Sequence, residues 1–177
     1  MRIYGTAALL VVCAATSANA AVLTGPITNP ANGHEYYLLG QDTWTNSEAE
    51  AVTLGGHLVT INDAAENQWV VDMFANFNNV DRFLWIGLND QVQESEYIWA
   101  SGESPLYTNW APGQPDASSL LADVVSMEGP SSIFPLGTWN DANDSALGSL
   151  GVVEVVPEPG SLVLLSLGCV ALLRRRR

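Results

Sequence analysis

Few side chains in this sequence are equipped for chemistry. The two histidines are His34 and His57. Neither stands near a serine or in a cluster of metal-ligand spacing, so each ring reads as structural or exposed. Glu48 with Glu50, and Glu94 with Glu96, are spaced like carboxylate pairs for glycosidic chemistry. On a chain with 19 acidic and 6 basic residues such pairs arise by chance. The cysteines, Cys13 and Cys169, lie near opposite ends. The stretch between them has no thiol nucleophile, thiolate ligand or disulfide. These residues point away from an enzyme and toward a binding or structural protein.

The charge narrows the partners. There is no lysine, and the six arginines are Arg2, Arg82 and Arg174–Arg177. Residues 21–156 hold 18 acidic residues and a single arginine. Phosphate binding needs lysine and arginine, so nucleic acid is excluded as a partner, and anionic lipid for the same reason. Cations fit such a surface, which also keeps an exported protein soluble.

Both ends read as targeting segments. Arg2, the apolar run Ala7–Ala15 and the small-x-small triplet Ala18-Asn19-Ala20 predict a secretory signal peptide over 1–20. A lipoprotein signal at Cys13 is disfavoured by the bulk of Val12 before it. At the other end, Pro157-Glu158-Pro159 precedes an apolar run from Gly160 to Leu173, then four arginines. The run is shorter than the ~20 residues of a spanning helix, and its arginines follow the positive-inside rule for a transient membrane anchor. The folded part is therefore 21–156, with a tail over 157–177.

The elements follow from periodicity. Residues 21–33, with Gly25, Pro26, Pro30 and Gly33, read as an irregular lead-in. A strand is expected at 34–39. Thr45-Asn46-Ser47-Glu48 fits a capping box that opens a helix ending at Gly55-Gly56. A short strand over 58–61 precedes a second helix from Asn62 or Asp63, whose Trp69, Val70, Met73, Phe74 and Phe77 share one face. Further strands are expected at 83–88, 97–99, 123–127 and 151–156, around a loop-rich stretch from Ser101 to Gly137. Strand, two helices, then short strands predict an α+β fold.

Certain residues along this order resemble a known family. Trp85-Ile86-Gly87-Leu88-Asn89-Asp90 is followed by Trp99, Gly102, Tyr107 and Asn109-Trp110, then by Gly113-Gln114-Pro115-Asp116, Asp123 to Met127, and Gly137-Thr138-Trp139-Asn140-Asp141. Upstream, Trp44 precedes the first helix and Gly55-Gly56-His57-Leu58 ends it. The set resembles the C-type lectin-like domain from about Tyr36 to Val156. The tail resembles a PEP-CTERM sorting signal. That implies a Gram-negative bacterial protein, processed by an exosortase-type protease and passed to the cell surface or an extracellular matrix polymer.

The resemblance carries further expectations. The family's four disulfide positions fall on Ala51, Val124, Asp144 and Val153. Ala51 and Val153 would pack as an apolar contact, and Asp144 would face solvent from a loop. Losing such bridges typically costs ~2–5 kcal/mol, which a Trp-rich core of Trp85, Trp99, Trp110 and Trp139 must offset. The family binds sugars through a calcium ion, and its ligands map onto Gln114, Asp116, Asn140 and Asp141, with Pro115 as a cis proline shaping the loop. Gln-Pro-Asp resembles the galactose-type members, although Ala117, Ser118 and Ser119 stand where their stacking aromatic would be. The family's acidic ligand position is Ala122. A second metal site would use Asp90, Glu94 and Asp123 but lacks acids at Ala117 and Ala122. Calcium affinity in the ~10⁻⁴–10⁻³ M range of extracellular modules, or none, is expected. The implied partner is an extracellular glycan. The alternative is a calcium-independent structural or protein-binding matrix component on the same fold.

Overall fold

The computed structural model describes residues 20–116, 122–144 and 148–157. The expected signal peptide apart from Ala20, all but the start of the tail, and Ala117, Ser118 and Ser119 lie outside the described residues.

In chain order the elements are β1 (Val22–Thr28), β2 (Glu35–Gln41), α1 (Trp44–Thr53), β3 (His57–Leu58), α2 (Ala64–Val70), β4 (Phe83–Asn89), β5 (Ile98–Trp99), β6 (Val124–Met127), β7 (Trp139–Ala142) and β8 (Ser149–Val155). The strands form one sheet in the order β1-β2-β8-β4-β6-β7, with β3 on β8 and β5 on β4. Every pairing is antiparallel except β4 with β8. This is the expected α+β architecture.

The central strands β4 and β8 are buried along almost their whole length. That burial explains why both read as apolar runs rather than alternations. Two glycines permit close backbone approach. A Cβ on Gly87 would lie 2.4 Å from the Leu58 carbonyl oxygen, and one on Gly56 would lie 2.0 Å from that of Glu154. The first holds the segment after α1 across β4, where the Gly87 N–H donates to the Val59 carbonyl at 2.9 Å.

Several local expectations need correction. The lead-in is not irregular: Val22–Thr28 forms the edge strand β1, bulged twice against β2 and containing a cis Gly25–Pro26 bond. The bulges and the mostly exposed side chains erase the alternation that would have marked it. Helix α1 is capped by Thr43, whose side chain accepts the Asn46 N–H at 3.1 Å, not by Thr45. The capping-box glutamate Glu48 instead accepts from Leu58 N and pairs with His57 Nδ1 at 2.6 Å, which fastens α1 to β3. The strand expected over 58–61 is only His57–Leu58. Helix α2 starts after Asp63, which caps it, and widens into a π turn over Val71–Ala75. Its predicted apolar face packs into the main core as expected.

The lost disulfides are replaced in two different ways. Ala51 and Val153 are fully buried in one small apolar cluster with Leu39, as expected. Asp144 does not simply face solvent. Its carboxylate accepts the Thr45 N–H at 2.8 Å and the Thr45 hydroxyl at 3.0 Å, tying the loop after β7 to the first turn of α1.

A buried polar junction joins β2, α2 and β8. The Tyr36 hydroxyl lies 2.6 Å from Glu66 Oε1 and 3.0 Å from Glu154 Oε1, and His34 Nδ1 lies 2.6 Å from the latter atom. Glu154 Oε2 accepts the Thr60 N–H. Burial pushes the Glu154 carboxyl above its ordinary value of 4.5, and the Glu66 charge adds to the rise, against the hydrogen bonds from His34, Thr60 and Tyr36. The folded state therefore binds this proton more tightly than the unfolded chain does. Glu154 thus contributes stability that is fully present below the ordinary value and is lost as pH rises through the folded one. Glu154→Gln, neutral at every pH, is expected to lack this dependence. The difference in melting midpoint between parent and variant should move in the parent's favour as pH falls from neutrality to about 4.5. A difference that stays constant over that range would contradict the assignment.

Candidate functional site

The site residues are arranged by β7, the last strand of the sheet. Its four residues alternate: Trp139 and Asp141 are buried, while Asn140 and Ala142 are half-buried. The ladder sets Asp141 beside Val125 of the core and Asn140 beside Ser126 on the other face. Asn140 and Asp141 thus point to opposite faces of the sheet. Because β7 is a terminal strand, the two residues straddle the outer edge of the sheet.

The loop that carries the remaining candidates runs along that edge. The Trp139 N–H donates to the Asn109 carbonyl and the Ala111 N–H donates to the Trp139 carbonyl, both at 2.8 Å, in a parallel bridge. Beyond Ala111 the chain turns at Gly113, which has a φ of 86°. The Gln114 N–H then closes onto the Ala111 carbonyl at 2.9 Å. The Gln114–Pro115 bond is cis, as the resemblance implied. Gln114 is half-buried and Asp116 exposed.

An aromatic cluster fixes this edge. Trp139 meets Trp99, Tyr107 and Trp110 edge-on, with centroids 5.7, 5.6 and 6.1 Å away. Its indole N–H donates to Asn67 Oδ1 at 2.8 Å, and Asn67 Nδ2 donates to the Gly137 carbonyl just before β7. Trp85, Trp99 and Trp139 are core residues, as expected, and Trp110 is half-buried.

Tyr97 is a member of this site that the sequence did not single out. Its ring stacks edge-on against Trp110 at 4.8 Å. Burial, and then the charges of Asp90, Asp141 and Glu94, push its phenol well above the usual range. Its alternation with Trp99 in the expected strand was the available signal, since residues two apart share a face.

The second set is only partly assembled. Asp90 is buried, its Oδ2 accepts the Ser95 N–H at 2.8 Å, and its own N–H donates to the Asp123 carbonyl at 3.1 Å. Glu94 is exposed. Among the described residues, no three His, Cys, Asp or Glu side chains converge closely enough to hold a metal ion.

Two oxygens of these sets, Gln114 Oε1 and Asp90 Oδ1, are buried and lack a hydrogen-bond donor in the protein. Buried acceptors are rarely left so. Both are hard oxygen donors, so they fit calcium in kind; the number of carboxylates is what falls short.

The description "Lectin C-type domain" matches residues 40–149, and with it the loop and strand just described. The chain belongs to the C-type lectin domain family. A second description, the PEP-CTERM protein-sorting motif, matches residues 155–177. Together they mark an exported or cell-surface protein.

A perlucin-like protein of Mytilus galloprovincialis is 34% identical over 100 residues, which is 52% of this chain and 64% of that protein. The galactose-specific lectin nattectin of Thalassophryne nattereri is 32% identical over 77 residues, 44% of this chain and 48% of that protein. Each match spans less than two thirds of the relative. The crystal structure of the C-type lectin CEL-I from Cucumaria echinata superposes with a TM-score of 0.63 at 28% identity, covering 70% of this chain and 90% of the other. These relatives are lectins and lectin-like binding proteins, not enzymes.

Proposed function

We propose that this is an exported carbohydrate-binding domain, 21–156, that takes a galactose-type sugar through calcium held by Gln114, Asp116, Asn140 and Asp141. The observation that carries the reading is the buried, donorless Gln114 Oε1, on a loop that Ala111 fastens to the strand bearing Asn140 and Asp141. Calcium takes six to eight oxygens, and these residues offer four side chains, two of them carboxylates. When bound, the ion supplies the charge that orders two vicinal hydroxyls of one sugar. The chain's own groups accept hydrogen bonds from those hydroxyls. The charges of Asp90, Asp141 and Glu94 around Tyr97 favour a cation at this end of the molecule. The names of nattectin and CEL-I, one galactose-specific and both lectins, support the carbohydrate class.

In this reading the signal peptide is removed after Ala20, an exosortase-type protease processes the tail in a Gram-negative cell, and the domain binds glycan at the surface or in the matrix. A second reading is favoured by Ala122, which stands where an acidic ligand belongs: a calcium-independent structural or protein-binding matrix component that keeps the same fold.

Thermal unfolding with calcium, with chelator, and with magnesium as the ionic-strength control separates the two. Calcium at tenfold above its dissociation constant should stabilise the protein by about 1.4 kcal/mol, a rise of about 3–6 °C in midpoint. A shift matched by magnesium, or no shift, would move the conclusion to the second reading. Glycan binding that survives chelator would retain a lectin and remove the ion from its mechanism.

A further inference from the structure

A second cleft lies away from the long loop, between the turn that precedes β2 and the start of α2. It measures about 330 Å³ and is lined by Asn32, His34, Asn62, Asp63, Glu66 and Trp69, among others. That volume sits at the lower end of the ~300–1,000 Å³ range of small-molecule sites. We propose that this cleft is a separate, calcium-free binding site for one neutral pyranose unit.

The wall is the Trp69 indole. Its ring is held by Tyr36, with centroids 4.7 Å apart, and by Phe74 at 5.8 Å. A rigid aromatic surface suits the C–H face of a sugar ring, since it offers apolar area at low entropic cost. The floor is polar and pre-set. Glu66 is only 8% exposed, and its carboxylate is oriented by the Tyr36 hydroxyl at 2.6 Å, Asn32 Nδ2 at 3.0 Å and the Asn62 N–H at 2.8 Å. An ionised carboxylate has about four acceptor positions, so Glu66 has capacity left for a ligand hydroxyl. At the rim, the Asn62 carboxamide offers both a donor and an acceptor. Its one hydrogen bond, Nδ2 to Glu103 at 3.3 Å, is long and exposed. Asp63 accepts the Glu66 N–H through Oδ1.

The charge selects the ligand. The lining holds Asp63 and Glu66 and neither Lys nor Arg. A phosphate, sulfate or uronate would meet like charge with no Lys or Arg to compensate it, and the one basic ring in the lining, His34, is already engaged through Nδ1 by Glu154 at 2.6 Å. A neutral polyol supplies the hydroxyl donors that carboxylates and carboxamides require. One apolar face, several acceptors, a few donors and this size together describe a neutral hexopyranose. The cleft needs no calcium and lies apart from Gln114, Asp116, Asn140 and Asp141. A domain with two sugar sites could bridge neighbouring residues or strands of a repeating polymer, where avidity exceeds either affinity alone.

The test is an amide and indole NMR titration of the protein in excess chelator. The probes are methyl galactoside, glucoside, mannoside and N-acetylglucosaminide, with methyl galacturonide as the anionic control. Saturable shifts are expected at the Trp69 indole N–H and the Asn32 and Asn62 side-chain amides, stronger for a neutral glycoside than for the uronide. Ala65→Trp, at an exposed position lining the cleft, should fill it and weaken binding by about tenfold or more. Asn62→Ala provides a second variant that leaves the core untouched and should weaken it severalfold. Shifts absent at saturating sugar would overturn the proposal. So would shifts that survive Ala65→Trp, or that are confined to Gln114–Asp116 and β7. The last pattern would leave the calcium-site reading standing.

Discussion

Trp139→Ala is expected to destabilise the protein by about 4–5 kcal/mol, the upper part of the range for a buried aromatic. Three losses combine at this side chain. It is fully buried. Its ring edges serve Trp99, Tyr107 and Trp110 at once, so no single neighbour can relax into the space. Its indole N–H is the partner of Asn67 Oδ1, which would be left buried without a donor. A domain of this size holds roughly 5–15 kcal/mol in total, so the variant should sit near the edge of folding. Trp139→Phe separates the contributions. It keeps most of the packing, loses the Asn67 bond, and should cost about 1–3 kcal/mol. Urea unfolding of both variants measures the two values. An alanine variant within about 1 kcal/mol of the parent would mean that the cluster is not what holds the edge of β7.

The same residue shows why the site depends on the core. Trp139 stands between the bridge to Asn109 and Ala111 on one side and Asn140-Asp141 on the other. Sugar binding should therefore fall with Trp139→Ala even where the domain remains folded, because loop and strand lose their common anchor.

How much of this was legible depended on whether burial left a pattern. β4 and β8 are buried on both faces, so continuous apolar runs announced them. The α2 face was readable because Trp69, Val70, Met73, Phe74 and Phe77 all reach one core, even though a π turn interrupts the helix. β7 left no such trace. Trp-Asn-Asp-Ala has one large apolar residue, and its place in the sheet comes from pairing with β6 and the 109–111 segment, both distant in sequence. The α1 cap was misplaced by two residues because Thr45 and Glu48 satisfy a local rule that the tertiary structure overrides. Burying Trp44, whose indole N–H donates to the Ile86 carbonyl at 2.7 Å, requires the helix to begin at Trp44. Glu48 is then drawn to His57. Asp144 was misread for a similar reason, since its partner Thr45 is 99 residues away. Gln114, Pro115, Asp116, Asn140 and Asp141 were named as candidates by family resemblance alone. That Asn140 and Asp141 diverge across a sheet edge is a property of strand pairing, which no local string encodes.

Ala122→Glu is the sharpest test of the calcium arrangement, because it adds the one carboxylate whose place the family pattern leaves empty. Ala122 is half-buried and lies two residues before β6, the strand that pairs with β7. A carboxylate there should join those of Asp116 and Asp141. Calcium affinity is expected to tighten by about ten- to a hundredfold, from the ~10⁻⁴–10⁻³ M of weak extracellular sites toward the range of sensor sites. Galactoside binding, measured by calorimetry at fixed calcium, should become detectable at correspondingly lower ion concentration. Adding one negative charge to an acidic domain attracts any cation, so a control is needed. Ala49→Glu, on the exposed side of α1, adds the same charge elsewhere and should change affinity by less than about twofold at physiological salt. Coupling supplies the second control. In Ala122→Glu with Asp141→Asn the gain should largely vanish, since ligands of one ion act as a unit and do not add independently. A gain that persists without the Asp141 charge, or that magnesium shares, would place the introduced carboxylate outside a common site and leave the calcium-independent reading in possession.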